Sequence, residues 1–112
     1  MTDRELLEKA AKAAGLAVII PAAHQRGLWI EGLEDEWNPL TDDGDALRLA
    51  VKLNIVIWEC AQYDRAMAEV RYGAARGEYW EPVGKDPHAA TRRAIVRAAA
   101  QIGEHMEKQN GN

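Results

Sequence analysis

The chain has 112 residues, a net charge of −4 and one cysteine. That length accommodates one domain with a single core, and the lone Cys60 excludes an internal disulfide framework and suits a reducing compartment. The first 60 residues carry eleven acids against six Lys/Arg and the rest seven against eight, so neither half has the basic excess that duplex nucleic acid requires.

The chain opens on "MTDRELLEKA", charged and helix-forming, with no apolar leader segment. Thr2 and Glu5 form a capping box. Leu6, Leu7, Ala10, Ala11, Ala13 and Ala14 then share one half of a helical wheel, and Gly15 supplies a C-terminal stop. Residues 16–20, "LAVII", are the longest apolar run and far too short to span a bilayer. With "LWIEG" at 28–32 they predict a β-hairpin across a loop that contains His24. A cytoplasmic setting, in a bacterial host, is the expectation.

"WNPLTDDGDALRLAVKL", residues 37–53, sets a Trp, a Pro and three Asp before an apolar helix. Thr41, Asp42 or Asp43 can cap that helix, and early Asp residues suit the positive end of its dipole. Trp37 and Pro39 read as an anchored turn. The apolar positions of 43–53 spread over roughly 200° of the wheel at about 100° per residue. Only Asp45, Arg48 and Lys52 make a polar strip, so cover on more than one side, by another helix or another subunit, is expected.

"IVIWEC" at 55–60 and "AMAEVRYG" at 66–73 read as two strands, the second with clear alternation. "AARGEYWEPVGK" reads as loop. Asp86 with Pro87 starts a last helix whose buried stripe is Ile95, Ala98, Ala99, Ile102 and Met106. Arg93 and Arg97 fall on its solvent side, His105 is expected in solvent, and the tail from about 107 is expected to fray. The order α-β-β-α-β-β-α predicts an α+β fold, with one four-stranded antiparallel sheet between helices in a three-layer α/β/α sandwich.

The two motifs "WNPLTDDGDALRLAVKL" and "DPHAATRRAIVRAAAQIG" together resemble the phage ABA sandwich family, small proteins of phage and prophage genomes. They cover residues 37–53 and 86–103, about a third of the chain. The resemblance implies an α/β/α layered fold and a phage accessory role, without a characterised catalytic site.

Three constellations carry candidate chemistry. The acidic run Glu31, Glu34, Asp35, Glu36, Asp42, Asp43 and Asp45 has neither EF-hand spacing nor a downstream Glu in register. It reads mainly as loop and capping chemistry, with a metal site or an acidic docking surface as alternatives. The start of the last helix offers an anion site: His88, Thr91 and Arg92 near Lys85 can face a pocket, with Tyr79 and Trp80 placed to stack on a base. The plain alternative is that His88 is a satisfied polar residue at a helix end and Arg92 snorkels over the core. Cys60, His24, His88 and His105 are scattered and form no nucleophile motif; Cys60 reads as a small buried apolar residue.

The expected function is therefore a non-catalytic phage accessory protein that counteracts host antiviral defence. Its leading form is a homo-oligomer that sequesters a nucleotide-type immune signal, with no cofactor, no metal and no membrane or duplex nucleic-acid partner. Direct inhibition of a host defence protein is the alternative, followed by an enzymatic or structural phage role.

Overall fold

The computed structural model describes residues 1–19, 27–60, 64–72 and 75–109. His24 and the side chain of Cys60 lie outside what is described, as do residues 110–112 of the tail. The elements are α1 (Asp3–Ala13), β1 (Val18–Ile19), β2 (Trp29–Ile30), α2 (Asp43–Leu53), β3 (Val56–Cys60), β4 (Arg65–Tyr72), β5 (Ala75–Pro82) and α3 (Pro87–Gln109). The fold is α+β, with three helices and two small antiparallel sheets among the described residues.

The helix boundaries follow from their capping residues. Thr2 accepts the Glu5 N–H at 3.1 Å and its hydroxyl donates to the Glu5 carboxylate. Gly15, at φ 72°, takes the left-handed turn after α1, where a Cβ would be strained. Asp42 is the residue that caps α2, accepting the Asp45 N–H at 2.8 Å. Asn54 closes α2 at φ 55°, a conformation Asn tolerates better than most residues. Asp86 caps α3 by accepting the Ala89 N–H at 3.0 Å.

α3 is the central element, packing against α1, α2, β4 and β5. The expected stripe of Ile95, Ala98, Ala99 and Ile102 is buried and Met106 is partly so. Ala90, Ala94, Val96, Ala100 and Gly103 are buried as well, because α3 meets neighbours on several sides. Its small residues let backbones come close. A Cβ added at Gly103 would lie 2.2 Å from the Lys9 carbonyl oxygen of α1. Below that crossing, Lys9 and Lys12 pair with Glu104 and Glu107. The helix runs on to Gln109 and His105 Nε2 is buried, which corrects the expected solvated histidine.

The sheets differ from expectation. The first hairpin pairs Val18 with Ile30 and Ile19 with Trp29 in a two-stranded sheet of its own. The larger sheet has the order β3-β4-β5, so residues 75–82, expected as loop, supply its third strand. One four-stranded sheet covered on both faces is therefore not what the described residues form. β5 lacks an apolar alternation because one of its inward positions is Glu81, whose carboxylate is met by Arg97 and Arg93 from α3. Those two arginines, placed in solvent by the wheel, turn toward β5 and α1; Arg93 also pairs with Asp3 at 3.0 Å.

On the α3 side of this sheet lie Ala66, Ala68 and Val70, all fully buried. The opposite face carries one cross-strand row of Trp58, Met67 and Trp80, and both tryptophans are substantially exposed. No described helix is long and apolar enough to cross a membrane.

Candidate functional site

The 37–45 loop is the best-anchored irregular segment. Trp37 is buried, and its N–H and C=O both pair with Leu28, at 2.7 and 2.9 Å. Asn38, the one buried polar side chain among the described residues, accepts the Leu40 N–H at 3.1 Å. Its own N–H goes to Asp45 at 2.9 Å. Asp45 also takes Arg48 at 2.8 Å, and Glu36 accepts the Gly27 N–H. Most of the acidic run is thus committed to the protein's own backbone and arginines. Glu31, Glu34 and Asp35 remain as an exposed patch. No group of three or more His, Cys, Asp or Glu side chains among the described residues is placed to hold a metal ion.

Where α2, β3 and the first turns of α3 converge there is a cavity of about 380 Å³. Its walls are largely apolar: Ala46 and Leu47 from α2, Ile57 from β3, Pro87 and Ile95 from α3. His88, Thr91, Arg92 and Asp43 contribute the polar edge. Three of the six expected site residues therefore meet, on successive turns of one helix.

The chemistry of two of these is already spent. Arg92 donates from Nε to the Leu40 carbonyl at 2.8 Å and from Nη1 to Asp43. It ties the loop before α2 to α3 rather than offering a free guanidinium. Thr91 donates its hydroxyl back to the Pro87 carbonyl at 2.8 Å. His88 is exposed at the mouth.

The other three do not join them. Strand alternation puts Tyr79 and Trp80 on opposite faces of β5. Tyr79 lies on the α3 side with the Arg97 guanidinium 5.4 Å from its ring centre. Burial pushes its phenol pKa up, partly opposed by the Arg97 charge. Trp80 lies on the open face. Lys85 is exposed in the turn before α3 and takes no part in the cavity wall. A base-stacking pair beside His88 is thus not assembled.

Leu47 and Ile57 were missed as site residues. Leu47 and Val51 are 60% and 72% exposed, so the second apolar flank of α2, expected to be covered, is open within this chain. The signal was present in the wheel: Leu47 and Val51 sit beyond the buried stripe of Ala46, Leu49, Ala50 and Leu53.

Because Arg92 satisfies a buried-side carbonyl, Arg92→Met is expected to lower stability by about 1–2 kcal/mol, most of it from the orphaned Leu40 carbonyl. The Asp43 pair adds little, since Asp43 is exposed and exposed pairs are weak. A urea midpoint unchanged from the parent chain would show that the clamp is idle and return Arg92 to the ligand-binding candidates.

No protein-family model, no curated protein and no solved structure matches this chain. The likeness to the phage family rests on the two motifs 37–53 and 86–103 alone.

Proposed function

We propose that this chain is a non-catalytic binding protein that engages a host protein directly, through the apolar cavity and the exposed α2 flank beside it. The observation that carries this reading is the state of the cavity: apolar walls, with Arg92 and Thr91 already hydrogen-bonded internally. An apolar side chain of a partner fits such a pocket, and the exposed Leu47, Val51 and Ile57 extend the contact around it. β3 lies at one edge of its sheet, which gives an approaching extended segment a backbone ladder to join. The phage accessory role, set against host defence inside an infected bacterium, is the context that the family resemblance lends. The layered α/β/α arrangement belongs to the same proposal, and it requires a further layer over the Trp58–Trp80 face.

Sequestration of a nucleotide-type signal is the second reading. What favours it is the position of the cavity at the N-terminal end of α3, with His88 at its mouth, and a volume within the range of small-molecule sites.

Native mass spectrometry of the protein purified from bacteria carrying defence systems separates the two. The protein reading expects retention of a host protein by the parent chain and loss of it by Leu47→Asp. Leu47 is exposed, so folding stability should stay within about 0.5 kcal/mol. A nucleotide-sized mass, released intact on heating, with no host protein retained, would displace the protein reading in favour of the second.

A further inference from the structure

A second apolar cavity lies on the other flank of α2. At about 100° per residue, Asp45, Arg48, Leu49 and Lys52 stand across the helix from Asp43 and Leu47. With Leu16, Leu33 and Trp37 they enclose about 300 Å³. The apolar walls are held in place. Trp37 and Leu49 are buried, and Trp37 is paired through its backbone with Leu28. The Leu33 N–H donates to the Ile30 carbonyl at 3.1 Å. A preformed apolar hollow takes up a side chain with little reorganisation. Leu33, Asp45 and Arg48 also wall an adjoining hollow of about 520 Å³, whose other charged residues are Glu34, Asp35, Glu36 and Asp42.

The charges around both hollows, counted together, identify the occupant. Five carboxylates, from Glu34, Asp35, Glu36, Asp42 and Asp45, stand against Arg48 and Lys52, a net charge of −3. Several of them are already engaged. Asp45 holds Arg48 at 2.8 Å and accepts the Asn38 N–H. Asp42 caps α2 and lies 4.0 Å from Arg48, so Arg48 is shared between two carboxylates. Glu36 accepts the Gly27 N–H. Glu34 and Asp35 are exposed and have no hydrogen-bond or ion-pair partner among the described residues. Lys52 is also exposed and unpaired among the described residues, but it borders the apolar cavity alone.

What remains is a pair of free carboxylates at one end and a single ammonium at the other. An occupant that seats an apolar side chain in the cavity gains from a cation on the Glu34–Asp35 side and loses from one on the Lys52 side. The phosphates of a nucleic acid would meet the free carboxylates, and a second copy of this chain brings the same net charge of −4, so both are disfavoured. Neighbouring residues of an extended peptide, about 3.3 Å apart along the strand, supply an apolar part and a cationic part side by side.

We propose that this flank of α2 binds a peptide segment of a partner protein in which Arg or Lys adjoins a large aliphatic residue. The aliphatic side chain enters the cavity between Leu16, Leu33, Trp37 and Leu49, and the cation lies against Glu34 and Asp35. The site is separate from the cavity on the Leu47 flank, and neither depends on the other.

Nuclear magnetic resonance of the isotope-labelled full chain tests it. The blocked peptides Gly-Arg-Leu-Gly and Gly-Leu-Arg-Gly present the pair in either direction. At least one is expected to bind with a Kd of about 1 mM or tighter, moving the amide signals of residues 33–37 and 45–52. Replacing its Arg by Glu, or its Leu by Gly, should each weaken binding at least about fivefold. Glu34→Gln combined with Asp35→Asn should do the same, while Leu47→Asp leaves the affinity unchanged. Should the double variant lose its fold, Lys52→Glu takes its place and is expected to tighten binding at least about twofold. Absence of binding by both peptides at about 10 mM overturns the proposal. So do an affinity that the charge changes leave unaltered and signals that move on the Leu47 flank instead. Butylguanidinium that binds as tightly as the peptide also overturns it, in favour of a small organic cation.

Discussion

Trp37→Ala is expected to cost about 3–5 kcal/mol, the range for truncating a buried aromatic residue. That is a large share of the roughly 5–15 kcal/mol that holds a domain together. Trp37 is 5% exposed and belongs to the main core with Leu6, Leu7, Leu28 and Leu49. Its backbone is paired in both directions with Leu28, so the side chain is the weight that keeps the 37–45 loop against β2. That loop in turn carries Asn38, the Asp42 cap and the Leu40 carbonyl that Arg92 clamps. The urea midpoint followed by far-ultraviolet circular dichroism measures the loss. A cost under about 1 kcal/mol, little more than an ordinary surface change, would mean that the loop is held by its hydrogen bonds and not by the indole.

Gly103→Ala tests the helix crossing with a signed outcome. In an unobstructed helix this change stabilises by about 0.8–1.0 kcal/mol. Here the new methyl group meets the Lys9 carbonyl oxygen at 2.2 Å, and the obstacle is helix backbone that cannot rotate away. Overpacking of a tight contact costs typically about 1–3 kcal/mol, which outweighs that gain, so a net loss of about 1 kcal/mol is expected, and more for Gly103→Val. Thermal melting reads the sign directly. A rise in melting temperature for Gly103→Ala would show that α1 and α3 do not approach this closely in solution.

These two positions show how differently the parts of the fold were written in the sequence. The helices were legible from end signals and spacing: Thr2 and Glu5, one of Thr41, Asp42 and Asp43 before a run with period 3.6, Asp86 with Pro87. Each of those signals acts within one turn of the chain, and distant residues do not change it. The hairpin of β1 and β2 and the strands β3 and β4 were legible for the same reason, through β-branched runs and alternation.

β5 was not legible. An alternating strand is recognised by apolar residues on its covered face, and one of those positions in β5 is occupied by Glu81. Only the approach of Arg97 and Arg93, sixteen and twelve residues further along, makes a carboxylate acceptable there. The site divides along the same line. His88, Thr91 and Arg92 were placed together because helical spacing alone does that. Tyr79 and Trp80 were grouped with them by nearness in sequence, and the strand conformation of 75–82 sends them to opposite faces.

The sequence by itself determined the three described helices, the N-caps of α1 and α3, four of the five described strands and the α+β class, because these depend on local hydrogen bonding and on periodicity. The tertiary structure decided which sheet each strand joined, which flank of α2 stayed open, that Arg92 serves a backbone carbonyl, and that two tryptophans flank Met67 on a bare face. The physical reason is that these outcomes depend on what a residue meets across the fold: a charge is solvated or paired, and an apolar side chain covered or exposed, according to neighbours distant in the chain.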